Sequence, residues 1–172
     1  QPFHTIPIFG YIELGKAYDL LPVVGSPWLN DFRGGFTGYQ NWGATPEYAE
    51  KLIFPFHFVC DFYGNYSYYS RYNQDWIGQV RLRPGFRIFE YGNSSVDLYV
   101  KLEGFWDTKR FFYNNIIDYG PGISFVPNNR WNLAFRGEFV RGQYIPVNSP
   151  DPNPYGTFYT NKLFTLETYF GF

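Results

Sequence analysis

Residues 96–106 read VDLYVKLEGFW. Side chains of an extended strand alternate between its two faces. Split that way, one face carries Val96, Leu98, Val100, Leu102, Gly104 and Trp106. The other carries Asp97, Tyr99, Lys101, Glu103 and Phe105. One side is apolar from end to end and tipped by an indole; the other holds charges of both signs.

The same split recurs along the chain. Residues 79–88 place Val80, Leu82, Pro84, Phe86 and Ile88 against Gln79, Arg81, Arg83, Gly85 and Arg87. Residues 131–139 place Trp131, Leu133, Phe135, Gly137 and Phe139 against Asn132, Ala134, Arg136 and Glu138. Residues 54–63 set Phe54, Phe56, Phe58, Cys60 and Phe62 against His57, Val59, Asp61 and Tyr63. Eight alternating segments emerge, at 6–19, 31–42, 53–69, 75–89, 95–107, 115–126, 131–144 and 160–172. Turn-forming residues separate them. The one helical signal is 45–52, where Thr45 is placed to cap and Pro46 stands at the first helical position.

Composition agrees with strands. Aromatic residues are 24% of the 172, with 20 Phe, 17 Tyr, 18 Gly, 13 Pro and no Met. Such residues favour strands and turns over helices. Charged residues are 17%, below the usual quarter. Lys plus Arg is 14 and Asp plus Glu is 15, so there is no basic field for nucleic acid. The single cysteine, Cys60, excludes an internal disulfide framework and reads as a small hydrophobe on an apolar face. The chain starts at Gln1 without a charged and apolar leader, which reads as a processed chain or an excerpt of a longer one.

A soluble antiparallel sheet also alternates. Here the apolar faces are long and aromatic-tipped, while the polar faces carry arginines and carboxylates. That pattern predicts an all-β chain, a closed antiparallel up-and-down transmembrane β-barrel of about eight strands, as one domain over 1–172. No run reaches the roughly 18 apolar residues of a transmembrane helix, but a membrane barrel crosses with strands. An eight-stranded lumen is just wide enough for side chains to fill. Its expected charge network is Arg33, Arg81, Arg83, Arg87, Lys101 and Arg136 with Glu13, Asp61, Asp97, Glu103, Asp118, Glu138 and Glu167. Unpaired charge in so narrow an interior is costly, so balanced signs are required. A soluble sandwich or lipocalin-like barrel, with apolar residues inside, is the competing fold.

Connection lengths bear on orientation. With both ends on the periplasmic side, the segments 20–30, 70–74, 107–114 and 145–159 face outward. Those at 43–52, 90–94 and 127–130 face the periplasm. Membrane barrels have short periplasmic turns and longer outer loops, and only 43–52 departs from that rule.

The last eight residues, TLETYFGF, resemble the C-terminal assembly signal of Gram-negative outer-membrane barrels. Thr165, Phe170 and Phe172 match it, while Glu167 stands where that pattern has glycine. The resemblance implies the outer membrane of a Gram-negative bacterium, with its lipid and lipopolysaccharide around the chain and the barrel-assembly machinery as a partner. Residues 99–145 resemble more weakly the last strands of barrels attached to exopolysaccharide export and phage adsorption. Asp107, Tyr113, Asn114, Asn115, Gly120, Pro121 and Gly122 carry that likeness. Export needs a wide pore, which eight strands do not provide.

Signals for chemistry are sparse. A His57–Asp61–Ser67 grouping along one strand spans about 30 Å, too far for a nucleophilic triad. Ser124 from another strand is not singled out, and His4 lies near the terminus. A lipid-modifying barrel enzyme is therefore the lesser alternative to an anchor, adhesion or assembly subunit. Asp151 and Asn153 are oxygen donors in a turn-rich segment, no metal-ligand spacing occurs, and no cofactor is called for. For a protein or polysaccharide partner at the outer loops, the candidates are Trp28 and Tyr155 for stacking and Lys109 and Arg110 for phosphate. Phe111, Phe112, Tyr113, Phe158 and Tyr159, nearer the strands, read as an interfacial aromatic girdle.

Overall fold

The computed structural model describes residues 6–18, 28–43, 57–70, 74–128, 133–146, 148, 153–154 and 156–168. They form one sheet of eight strands: β1 (Ile8–Tyr18), β2 (Trp28–Trp42), β3 (His57–Tyr69), β4 (Asp75–Tyr91), β5 (Ser94–Asp107), β6 (Ile116–Val126), β7 (Leu133–Tyr144) and β8 (Phe158–Thr168). Each strand pairs antiparallel with the next, in the order β1 to β8. A single 3-10 turn, Phe112–Asn114, interrupts the β5–β6 connection. Among the described residues no helix is long and apolar enough to cross a membrane.

Local chemistry sets the connections. Between β4 and β5 only Gly92 and Asn93 turn the chain, with Tyr91 opposite Ser94. Gly92 has a φ of +58° at the first central position, which suits the twist of a two-residue hairpin. On β4 the register shifts between Arg87 and Phe89, leaving Ile88 as an extra residue. A bulge of this kind puts two successive side chains on one face. Ile88 and Phe89 are both exposed, and Glu90 is thereby returned to the face of Arg87, 3.5 Å away.

Burial is inverted relative to a water-soluble sheet. Asp31, Asp61, Asp75, Arg83, Lys101, Glu103, Asp107, Asp118 and Glu138 are buried. Leu82, Phe86, Leu98, Val100, Leu102, Ile123, Phe125, Phe135 and Phe139 are exposed. The apolar side is thus the outer face and the charged side the inner one. Among the described residues, apolar side chains enclosed on the inner face, as a lipocalin-like barrel demands, are few: Val59, Tyr99, Ala134 and Val140.

The sheet is strongly curled. In a flat sheet β4 and β8 would lie roughly 19 Å apart. Yet Arg83 of β4 reaches Glu167 of β8 at 2.9 Å, and Arg136 of β7 reaches Asp61 of β3 at 3.6 Å. Within the described residues β1 and β8 are not paired with each other, so the hydrogen-bonded ladder runs from β1 to β8 without closing.

Several boundaries differ from expectation. β2 begins at Trp28, opposite Tyr18, so Trp28 opens a strand instead of standing mid-loop. Phe158 and Tyr159 open β8 and are not loop residues. The expected helical turn at 45–52, residues 53–56, 131–132 and 169–172, with Phe170 and Phe172, all lie outside the described residues. The β2–β3 connection runs from 43 to 56, longer than expected for that side.

Candidate functional site: a charged interior and a braced loop

Arg83 stands at the centre of the interior. Its Nη2 lies 2.9 Å from Glu138 Oε1 and its Nη1 2.9 Å from Glu167 Oε1, with Asp61 Oδ2 at 3.5 Å. Arg136 meets the other oxygen of Glu167 at 2.9 Å. Lys101 bridges Glu103 at 2.6 Å and Glu138 at 3.3 Å. Arg81 approaches Asp61 at 3.7 Å. These residues come from β3, β4, β5, β7 and β8, and only the curl of the sheet brings them together. Such pairs hold in a narrow interior because each carboxylate faces a guanidinium or ammonium group and accepts further hydrogen bonds.

A neutral group organises the centre. Tyr99 donates its hydroxyl proton to Glu138 at 2.8 Å. The guanidinium carbons of Arg83 and Arg136 lie 5.6 and 5.7 Å from its ring centroid. Cations placed near an aromatic face within about 6 Å are attracted by the ring. Gln79 adds a 2.6 Å bond to Glu103. Neither Tyr99 nor Gln79 stands out in the sequence, because a polar face does not disclose its partners.

At the two ends of the interior are smaller clusters. Arg87 pairs with Asp97 at 2.8 Å, and His57 and Glu90 stand 3.9 Å apart beside them. Arg33 pairs with Asp31 at 2.7 Å. Glu13 belongs to the inner face but not to the buried network. Its side chain is exposed on the edge strand β1, 3.9 Å from Arg33. Asp118 accepts from the Tyr159 hydroxyl and also feels the charge of Lys101.

His57 and Ser67, weighed for nucleophilic catalysis, stand toward opposite ends of β3. Ser67 donates to Asn65 at 2.6 Å and also contacts the Tyr11 hydroxyl. Ser124 is buried with no hydrogen-bond partner, and Asp97 is committed to Arg87. No group of three or more His, Cys, Asp or Glu among the described residues is placed to hold a metal ion. Asp151 lies outside the described residues, and Asn153 donates to Gly156 O at 2.6 Å. Cys60 is half-buried on β3, two residues from exposed Phe58.

The β5–β6 connection is braced from below. Asp107 accepts from Phe111 N, Asn114 Nδ2 and Asn115 Nδ2 at 3.1, 2.9 and 2.9 Å. Asp75, fully buried, accepts from Thr108 Oγ1 and Lys109 N at 2.8 and 3.2 Å. The Phe112 ring packs on Tyr144, which packs on Tyr159. So braced, the loop holds Arg110 at a φ of +61° and exposes Lys109, Arg110 and Tyr113. A non-glycine residue there costs roughly 1–2 kcal/mol, which the Asp107 and Asp75 bonds offset. Asp107, Asn114 and Asn115 therefore serve as struts. The side chain of Trp28, and all of Tyr155, lie outside what is described.

Comparison of the chain with protein-family models, characterised proteins and solved structures finds no match.

Proposed function

We propose that this chain is an integral β-barrel of a Gram-negative outer membrane, its lumen filled by side chains, acting as a membrane anchor, adhesion or assembly subunit that displays its outer loops. The observation that carries this reading is the inversion of burial: an ion-paired inner face beneath an outer face of Phe, Leu, Val and Ile. In water an exposed apolar face of that extent is an association liability. In a bilayer it is the face that lipid requires. Every backbone polar group in hydrocarbon must be paired, which an antiparallel ladder achieves once it is closed. The likeness of TLETYFGF to the assembly signal supports recognition by the barrel-assembly machinery.

The functional surface of this reading is the end of the sheet bearing the 108–115 connection. Lys109 and Arg110 suit phosphate oxygens of lipopolysaccharide, and Tyr113 offers a face for a sugar or a protein partner. The packed interior suits a static anchor better than a channel, since Arg83, Lys101, Arg136 and their carboxylates occupy its middle.

Fractionation of cells expressing the full chain tests the reading. The protein is expected in the outer-membrane fraction, resistant to alkaline carbonate and released only by detergent. Recovery of folded protein in detergent-free buffer would overturn it.

A further inference from the structure

The two edges of the sheet carry a register for closing on each other. Followed through the printed pairings, Ile8 at the start of β1 leads to Gly38, Gly64, Val80, Gly104, Ile117, Gln143 and finally Phe158. Ile8 is at one end of its strand, the end where Leu133 and Thr168 also lie. Phe158 is at the other end of β8. The hydrogen-bonded rows therefore climb the wall as they go round, as tilted strands in a barrel require.

How far they climb can be read from the ion pairs that span the interior. Phe62 leads to Leu82, Leu102, Tyr119, Arg141 and Thr160. By the same register Asp61 is level with Val140, and Arg83 with Asn161. Yet Arg83 meets Glu167, six positions past Asn161 on β8. Asp61 meets Arg136, four positions before Val140 on β7. Both displacements point toward the Ile8–Thr168 end. Groups that touch across the interior are at similar heights, so the rows climb about five residues over four strands. Eight strands then give about ten.

A climb of ten returns the row from Phe158 to Tyr18, which sets Ile8 opposite Thr168 and Tyr18 opposite Phe158. Face parity also agrees. Tyr11, whose hydroxyl contacts Ser67, falls opposite Thr165, between inward Leu163 and Glu167. Outward Ile12 falls opposite outward Phe164.

We propose that β1 and β8 close the wall on each other in this register, antiparallel, with Ile12 opposite Phe164. The proposal rests on the barrel reading above and names its seam. Exposure fits an unclosed seam: Ile12, Leu14 and Phe164 are 74%, 81% and 89% exposed, against 44% and 45% for Leu98 and Leu102 on β5. The excess is the flank a neighbouring strand would cover. Closure also places Phe9, Tyr11 and Glu13 against Glu167, Thr165 and Leu163. It encloses Glu13 beside Arg33 and seals the last sector of the lumen.

Disulfide trapping tests the seam. In a Cys60→Ser background folded into detergent micelles, Ile12→Cys is combined in turn with Phe164→Cys, Leu166→Cys or Lys162→Cys and oxidised. Directly opposed residues lie within disulfide reach, whereas the diagonal ones, about 7–8 Å apart, do not. The expected result is an intramolecular bond with Phe164→Cys at least tenfold more abundant than with either other partner. Preference for Leu166→Cys or Lys162→Cys, bonds between two chains, or no bond at any pair would overturn the register. Backbone nuclear Overhauser contacts between β1 and β8 in the unsubstituted chain read the same register if the cysteine variants do not fold. Contacts linking Ile12 to Phe164 support it, and contacts displaced by two residues contradict it. A chain that folds in plain buffer with the Ile12–Phe164 bond keeps the seam and loses the membrane reading. A membrane-integrated chain bonded at another register does the reverse.

Discussion

Arg83 is the residue on which the interior turns. Three carboxylates, on Asp61, Glu138 and Glu167, lie within 3.5 Å of its two terminal nitrogens. Its replacement leaves them in an enclosed space with only Lys101, Arg81 and Arg136 to compensate. Breaking a buried pair by removing one partner typically costs about 3–5 kcal/mol. Arg83→Met is therefore expected to lower stability by about that amount, read as a shift of the urea midpoint in micelles at constant slope. A midpoint unchanged within error would mean that the pairs contribute nothing to the fold. Alternation alone assigned Arg83, Lys101 and Glu138 to one face, because side-chain direction in a strand is local. Which carboxylate each cation meets was not legible, because that depends on curl and tilt. Tyr99 and Asp31 share that face but carry no mark of their role. Glu13 shows the converse: correct parity, but on the edge strand β1, where its side chain is exposed beside Arg33.

At the scale of elements, glycine and aromatic residues face each other across neighbouring strands. Tyr99 is opposite Gly85 on β4 and Gly122 on β6. A Cβ on Gly122 would fall 2.5 Å from the Tyr99 ring, and one on Gly85 would run into Leu98 O and lie 2.6 Å from Tyr99 Cβ. The absent side chain of Gly122 is the space in which the ring lies and reaches Glu138. Gly122→Val is expected to displace the ring and cost roughly 1–3 kcal/mol, the usual range for overpacking. Gly104→Ala, on β5 with nothing within 4 Å of its Cβ, is expected to stay within about 0.5 kcal/mol. Thermal or urea unfolding of the two variants side by side checks this, and equal destabilisation would contradict it. The strands themselves were legible because eight alternating segments are separated by turn residues. Their ends were less so. The bulge at Ile88 reverses the parity of β4 for its last residues, so Glu90 could not be assigned to the inner face by counting from Arg87. Trp28 and Phe158 extend strands past turn-rich segments because a neighbouring strand offers them a pairing partner, a tertiary effect that local composition does not carry.

The whole molecule is a curled sheet with polarity reversed. Among the residues described, the inner face carries cations and carboxylates in contact, and the outer face carries mainly aromatic and aliphatic side chains, with Arg141 and Lys162 among them. Neither solvent exposure of charge nor a buried apolar core accounts for that arrangement; the membrane reading proposed above is built on it. The reversal was legible in VDLYVKLEGFW because its two faces differ so sharply. What the outer loops meet was not, since loop side chains answer to a partner and not to a periodicity. The most direct test is the environment of successive positions on β5 in lipid vesicles. Spin labels are introduced singly at 98–102 in a Cys60→Ser chain, and their collision rates with oxygen and with a water-soluble nickel complex are compared. Leu98, Val100 and Leu102 are expected to favour oxygen, as in hydrocarbon, with Tyr99 and Lys101 shielded from both between them. Labels at Leu98, Val100 and Leu102 that collide chiefly with the nickel complex would place the apolar face in water and contradict the account.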